Sequence, residues 1–141
     1  FSFETVAAPW LQTNEIVSFI NQSFGDEIKA CSISFTPTSG KYAHTLCKGI
    51  HFEVIDPEYF KPVIFGLLVV YMIRAKHPQH FMWAPYKTAV NPSGEDHLSK
   101  LLGIQNAQQL FDLPLPQFIA RCTKLTHCAG WQEQMEPYLL Y

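Results

Sequence analysis

The residue types that could do chemistry are concentrated in one loop, between two stretches that are predicted to be strands. The loop combines hydroxyl groups, one glycine, one lysine and one aromatic ring. These residues are Thr36, Thr38, Ser39, Gly40, Lys41 and Tyr42. The mixture suits a sugar or a carboxylated ligand, because hydroxyls and a cation hydrogen-bond to polar groups while an aromatic ring stacks on a sugar. An ordinary solvated turn has the same composition and remains open at this point.

A metal site is not expected. The four cysteines, Cys31, Cys47, Cys122 and Cys128, include no C-x-x-C pair. His77 and His80 are three residues apart, but Pro78 lies between them. No set offers three ligands at a usable spacing, so we expect no metal and no other cofactor.

The cysteines are predicted to be small buried residues, since free cysteine is among the most buried residue types. A nucleophile built from Cys47 with His44 or His51 is a weaker interpretation, because the same residue fits the interior of a strand. One or two disulfides are an open alternative, and the sequence does not choose a pairing.

Paired carboxylates could hydrolyse a glycosidic bond if two of them faced one cleft, roughly 5–10 Å apart. Four acidic residues are the candidates for this role: Glu53, Glu95, Asp96 and Asp112. Each lies in a polar or helical context that is typical of a solvated side chain. No catalytic residue is therefore assigned.

Length, composition and net charge limit the class of protein to which this chain can belong. The 141 residues, 48% hydrophobic and 14% aromatic, predict one globular domain, residues 1–141. A formal charge of -2 gives no reason to expect a nucleic-acid partner. The longest apolar run, residues 63–73, is shorter than the roughly 20 residues that span a bilayer, so no membrane span is expected. Neither a signal peptide nor an initiating Met is present, which indicates a fragment or a processed product.

The periodicity predicts an α+β fold, with helices packed on a small, antiparallel sheet. A first helix should follow Thr13 and end at Gly25. A second helix, over residues 60–77, is apolar on every side and should be the central buried one. Later helices are expected at residues 97–103 and 106–111, and a long one from Pro116 past Cys128 towards Met135.

Two strands flank the loop. In the first, Lys29, Cys31, Ile33 and Phe35 share one side, which we predict to face the core because three of the four are apolar. In the second, residues 49–56, Ile50, Phe52 and Val54 should point one way, and His51 and Glu53 the other.

Several short motifs occur in an order that resembles one known family. The central motif is Phe35-Thr36-Pro37-Thr38, followed by Lys41-Tyr42-Ala43, Leu46-Cys47, Gly49-Ile50, Val54 and Asp56. Further matches are Ala8-Pro9-Trp10, Phe60 with Pro62 and Gly66-Leu67-Leu68, Phe81-Met82-Trp83, Leu101-Leu102-Gly103 and the ending Pro137-Tyr138-Leu139-Leu140-Tyr141. Together they resemble the C-terminal region of the proteins catalogued as domain of unknown function 1343, described as exo-β-N-acetylmuramidases that act on peptidoglycan.

The resemblance implies a two-domain glycoside hydrolase with its cleft between the domains. The catalytic glutamate of the family belongs to an N-terminal Rossmann-like domain that this chain lacks. That domain and a muramic-acid-containing sugar are the implied partners, and export from the cytoplasm is the implied location. The residues implied in substrate binding are Thr36, Thr38, Lys41, Tyr42 and His44.

This sequence departs from the family pattern at three positions. It has Gly40 where Ser is frequent, His44 where Gly is frequent, and Glu53 where His is frequent. The alternative function is a non-catalytic interaction or structural domain with no sugar site. An apolar patch around residues 81–86 would then be a protein interface.

Overall fold

The computed structural model describes residues 4–139, so Phe1 to Phe3 and the last two residues of the predicted ending lie outside it. The chain divides into two compact units, the first ending at Met82 and the second beginning at Trp83. The prediction of a single domain for residues 1–141 stays a prediction.

The first unit contains an antiparallel sheet of three strands. They are β1 (Thr5–Ala8), β2 (Ile28–Phe35) and β3 (Cys47–Val54), in the spatial order β1-β3-β2. The small antiparallel sheet and the α+β class are therefore confirmed. The sequence indicated β1 only as a short apolar entry, because four residues carry too little alternation to mark a strand.

The core face of the sheet is set by its register. Ala30 of β2 lies opposite Phe52 of β3, and Ile50 lies opposite both Ser32 and Val6. Ile50 is fully buried and Phe52 packs against the core, so the predicted alternation in β3 is confirmed there. Val54, at the end of the strand, is exposed.

The predicted orientation of β2 is wrong. Ile28 and Ala30 are buried, whereas Lys29 and Cys31 are exposed and Phe35 is 40% exposed. The physical reason is the helix that follows β1. Its Asn21 side chain accepts a hydrogen bond of 2.8 Å from the Ala30 N–H and donates one of 2.9 Å to the Ala30 C=O. These two hydrogen bonds satisfy the backbone N–H and C=O of Ala30 at the outer edge of β2, and they fix which face of the strand the helix covers.

That helix, α1 (Asn14–Phe24), has the predicted limits, with Thr13 before it and Gly25 after it. Its Ile16 and Ile20 are buried against the sheet. The Thr13 hydroxyl does not cap the helix; it lies 2.7 Å from the Ser32 hydroxyl and joins α1 to β2 instead.

The second helix, α2 (Pro62–Lys76), confirms the predicted buried helix, with Pro62 in its first turn and His77 at its end. Five of its residues are buried, more than in any other helix of residues 4–139, namely Phe65, Leu67, Leu68, Val69 and Ile73. It is not buried on every side, since Val63 is 51% exposed. Phe65 is the aromatic centre of this core, with edge contacts to Phe24, Phe52 and Phe60.

The second unit is helical in the part that the structure describes. It contains α3 (His97–Leu102), a 3-10 helix (Ala107–Asp112), α4 (Leu115–Thr126), α5 (Trp131–Met135) and a final 3-10 turn (Glu136–Tyr138). The two short helices are where the sequence predicted them. Its core is formed by Ala107, Leu110, Phe111, Phe118 and Cys122.

The single long helix predicted from Pro116 towards Met135 is wrong. The chain leaves α4 at His127, whose backbone is extended, and Gly130 has a positive φ of 72°. A left-handed glycine cannot continue a right-handed helix, so α5 begins afresh after it.

Candidate functional site

The loop between β2 and β3, residues 36–46, is closed by its own backbone. The His44 N–H donates to the Pro37 C=O at 2.8 Å, across the base of the loop. Within this closure the Ala43 N–H donates to the Gly40 C=O at 3.2 Å. Gly40 has a φ of 87° and His44 a φ of 61°. His44 therefore adopts a left-handed conformation that is uncommon for a residue with a side chain, and such conformations are frequent at functional sites.

Tyr42 anchors the loop to the body of the first unit. Its hydroxyl accepts a hydrogen bond of 3.2 Å from the indole N–H of Trp10, and its ring packs against the hydrophobic core. The Lys41 ammonium lies 5.4 Å from the centroid of the Tyr42 ring, within the range of a cation–π contact. The structure thus brings a cation and an aromatic ring together at one fixed point of the loop.

Trp10 extends the aromatic surface beyond the loop. Its ring is stacked on that of His80, with centroids 5.2 Å apart and an interplanar angle of 11°. It also contacts His77, at 5.3 Å and 58°. His80 is exposed, whereas His77 is only 2% exposed. We refer to Lys41, Tyr42, Trp10 and His80 as the loop site.

His77 has a positioning role in this arrangement. Its Nε2 accepts a hydrogen bond of 3.3 Å from the Gln12 N–H. The Nε2 atom is therefore the acceptor of this bond, and a ring hydrogen is assigned to Nδ1. This bond fixes the end of α2 to the segment that follows Trp10.

The five predicted binding residues are not all brought together. Lys41 and Tyr42 are in contact, while Thr36, Thr38 and His44 are exposed at other points of the same loop. The sequence missed Trp10 and missed the role of both histidines. Trp10 lies 32 residues from Tyr42, and no spacing rule joins positions that far apart. The only signal was Ala8-Pro9-Trp10, as one of the motifs of the resemblance.

Neither buried cysteine of the described chain is a candidate nucleophile. Cys47 is 1% exposed and its thiol lies 3.5 Å from the Thr45 C=O, to which it can donate. Burial raises the pKa of the Cys122 thiol, which keeps it in the unreactive neutral form. The prediction of buried cysteines is confirmed for these two and wrong for Cys31 and Cys128, which are exposed; all four are free thiols.

Glu53, one of the acidic candidates, is an exposed residue of the sheet. Glu53 lies opposite Lys29 in the sheet and is exposed, which is typical of a cross-strand charge pair.

Across residues 4–139, no three His, Cys, Asp or Glu side chains are grouped so that they could hold a metal ion. In the same range, no helix has both the length and the apolar character needed to cross a membrane.

The fold places the chain in the class of α+β domains, with a closed hairpin loop as its most distinctive exposed feature. The chain belongs to the family described as exo-beta-N-acetylmuramidase NamZ, C-terminal, whose model matches residues 1–141. The resemblance proposed from the short motifs is thereby confirmed.

Two bacterial proteins are similar to this chain. The chain is 33% identical over 79 residues to the peptidoglycan beta-N-acetylmuramidase NamZ of Bacillus subtilis, covering 56% of this chain and 19% of that protein. It also resembles the crystal structure of a DUF1343 family protein from Bacteroides fragilis. That match has a TM-score of 0.59 and 13% identity, covers 99% of this chain and 35% of the other, and at this identity shows the fold alone. The chain thus spans much less than half the length of either relative.

Proposed function

We propose that this chain is the C-terminal part of a peptidoglycan-degrading exo-β-N-acetylmuramidase and that the loop site forms one wall of its sugar-binding cleft. The observation that carries the proposal is the family match over residues 1–141, together with an exposed lysine beside the Tyr42 ring on the loop. The relatives are much longer than this chain, which supports a parent protein with a further, N-terminal domain.

The chemistry of the loop site suits a muramic-acid sugar. Lys41 is exposed and cationic, so it can bind the lactyl carboxylate that distinguishes muramic acid from other hexosamines. The Tyr42 ring is half-buried and its hydroxyl is already bonded to Trp10. Tyr42 therefore anchors the loop beside Lys41 and presents only part of its ring to a sugar. Thr36, Thr38 and His44 supply exposed polar groups around this cation.

The reaction class is the hydrolysis of a glycosidic bond, which needs a pair of carboxyl groups on either side of that bond. In this proposal the N-terminal domain of the same protein supplies them. The present chain binds and orients the sugar, which raises the rate by holding the bond in place. Peptidoglycan as the substrate implies that the parent protein is exported.

The test is the variant Lys41→Ala in the parent protein, assayed with a muramic-acid glycoside. Loss of one charge-assisted hydrogen bond at an exposed site should lower kcat/KM by about tenfold. The matched control is Lys124→Ala, which removes an exposed lysine of α4. A second substrate, the same glycoside without the lactyl group, should lose much less activity on Lys41→Ala. An unchanged kcat/KM for the muramic-acid substrate would show that Lys41 does not contact it.

The alternative, an interaction domain with no sugar site, stays a prediction. Met82 is 76% exposed and Tyr86 63% exposed, as that alternative requires. If Lys41→Ala and removal of the chain both left hydrolysis unchanged, this alternative would be the better account.

A further inference from the structure

The second unit contains a cavity that the loop site does not use. Its volume is about 460 Å³. Rings, carboxylates and one amide share its lining, the chief members being Trp83, Tyr86, Glu95, Asp96, His97 and Gln108. Aromatic surface combined with a few polar groups is the usual composition of a small-molecule site.

Of the two large aromatic residues that line this cavity, one packs against the core of the unit and the other is exposed. The Tyr86 ring is 63% exposed and contacts the His97 ring, with centroids 4.7 Å apart. The Trp83 ring is half-buried and meets the Phe111 ring edge-on, at 5.0 Å. Phe111 is itself in the core of the unit, so Trp83 is fixed while Tyr86 remains open to a ligand.

The polar side of the cavity accepts hydrogen bonds and carries negative charge. Glu95 and Asp96 are exposed carboxylates, and Gln108 can both donate and accept. None of the described residues that line the cavity is a lysine or an arginine. The nearby Lys100 ammonium is bonded to Asn91 Oδ1, at 2.6 Å, and to the Glu95 C=O, at 3.1 Å.

The loop that carries these groups is rigidly built. Asn91 is 4% exposed, and its amide donates to the Glu95 C=O at 3.0 Å. The Tyr86 N–H donates to the Gly94 C=O at 2.9 Å, across the loop. Asp96 has a positive φ of 50°, an uncommon conformation for a residue with a side chain, and it lines the cavity. The backbone that carries Tyr86 and Glu95 is thus fixed by hydrogen bonds within the loop.

We propose that this cavity binds a neutral saccharide ring of the N-acetylglucosamine type. The apolar face of the sugar would stack on Tyr86, and its hydroxyls would donate to Glu95 and Asp96. Two carboxylates line the cavity and no described lysine or arginine does, since the nearby Lys100 ammonium is bonded to Asn91 and to the Glu95 C=O. The two carboxylates repel the carboxylate of muramic acid, so the cavity selects against the sugar that the loop site selects. Leu98 and Leu101 add apolar surface that suits the C–H groups of a sugar better than an ammonium group. This inference rests on the proposed function only in naming peptidoglycan as the source of the saccharide.

The test is a titration of the full protein that carries this chain, followed through the indole NMR signal of Trp83. The probes are N,N′-diacetylchitobiose, N-acetylmuramic acid and, as an amine, free lysine. The disaccharide should shift the Trp83 signal, whereas the other two should not. Tyr86→Ala should weaken binding of the disaccharide by about tenfold, the effect of losing one stacking ring. Tyr138→Ala is the matched control, because Tyr138 is 76% exposed and does not line the cavity.

Glu95→Gln keeps the proposal testable if Tyr86→Ala does not fold. In Glu95→Gln the backbone C=O of residue 95, which accepts the bonds from Asn91 and Lys100, is unchanged, so only the exposed carboxylate is lost. Binding should weaken about fivefold, as expected for loss of a charge-assisted hydrogen bond in water. No shift with the disaccharide, an equal shift with N-acetylmuramic acid, or displacement by lysine would each overturn the proposal.

The two proposals fail separately. If Lys41→Ala impairs hydrolysis but the disaccharide does not bind, the cavity proposal is wrong and the proposed function stands. If the disaccharide binds through Tyr86 while Lys41→Ala has no effect, the reverse holds.

Discussion

The indole N–H of Trp10 donates a hydrogen bond of 3.2 Å to the hydroxyl of Tyr42. Trp10 follows β1 by two residues, and Tyr42 lies in the loop between β2 and β3. The contact therefore ties the end of one edge strand to the loop that carries Lys41. It uses the indole N–H of Trp10 and the hydroxyl of Tyr42, while the Trp10 ring stacks on the exposed His80.

Replacing Trp10 by phenylalanine should loosen the loop without unfolding the first unit. The variant Trp10→Phe keeps an aromatic ring but leaves the Tyr42 hydroxyl without its donor. Loss of one partly buried hydrogen bond costs about 1 kcal/mol of unfolding free energy, which urea denaturation would measure. Amide exchange at residues 43–45, whose backbone bonds close the loop, should become faster.

The control for this change is Trp131→Phe, because Trp131 is 57% exposed and starts a separate helix. It should alter neither the unfolding free energy nor exchange in the loop. Equal effects of both variants on the loop would mean that the contact between Trp10 and Tyr42 does not hold it.

Gly94 should be the least replaceable glycine of the second unit. It has a φ of 76°, and a Cβ there would lie 2.7 Å from the Tyr86 backbone nitrogen. Gly94→Ala therefore meets both backbone strain and a clash, and should cost more than about 2 kcal/mol of unfolding free energy. Gly103 has a φ of 67° but nothing within 4 Å of such a Cβ, so Gly103→Ala should cost only about 1 kcal/mol, from strain alone.

The comparison of Gly94→Ala with Gly103→Ala is made by urea denaturation of both proteins at one pH. The test is the order of the two costs in unfolding free energy, because both glycines have a left-handed backbone and only Gly94→Ala adds a clash. Equal costs would mean that the contact between Gly94 and Tyr86 is relieved by a small shift of the loop.

The four thiols should differ in reactivity. Cys31 and Cys128 are exposed and should react with iodoacetamide in the folded protein, whereas Cys47 and Cys122 should react only on unfolding. Peptide mass spectrometry after timed labelling would separate the four. Labelling of Cys122 as fast as that of Cys128 would contradict the burial seen here.

Cys122 also makes stability depend on pH. Burial raises the pKa of its thiol in the folded state, so the thiol stays protonated there at pH values where the unfolded chain has lost the proton. Above the ordinary pKa of a cysteine thiol, about 8.5, the unfolded state binds fewer protons and the folded state loses stability as pH rises. The slope of unfolding free energy against pH should be shallower in Cys122→Ala between pH 8 and pH 10, a range set by that ordinary value. An unchanged slope would show that another group titrates.

Several elements could be read from local patterns because local forces decide them. Thr13 and Gly25 mark the limits of α1, although the Thr13 hydroxyl bonds to Ser32 and does not cap the helix, and Pro62 marks the first turn of α2. The loop was identified by its hydroxyl residues, Lys41 and Tyr42, which need no partner to be recognised as polar and exposed. The family followed from motifs spread along the whole chain.

The face of β2 could not be read in this way. Counting apolar residues favoured the side of Cys31, Ile33 and Phe35, but α1 covers the other side through the bonds between Asn21 and Ala30. An edge strand has a neighbour on one side only, so its burial depends on which helix packs against it. The end of α4 was misjudged for a related reason, since the weak helix propensity of Gly130 gave no sign that the backbone turns left-handed there.

The sequence by itself determined the class of fold, the positions of its main helices and the loop that carries Lys41 and Tyr42. These depend on residue type and on spacings of two to four positions, which local geometry fixes. Only the tertiary structure decided that Trp10 bonds to Tyr42, that His80 stacks on Trp10, and that Tyr86 stands beside His97. Such contacts depend on packing and on the burial of aromatic surface. They join residues that are not close in the sequence, so no periodic pattern predicts them.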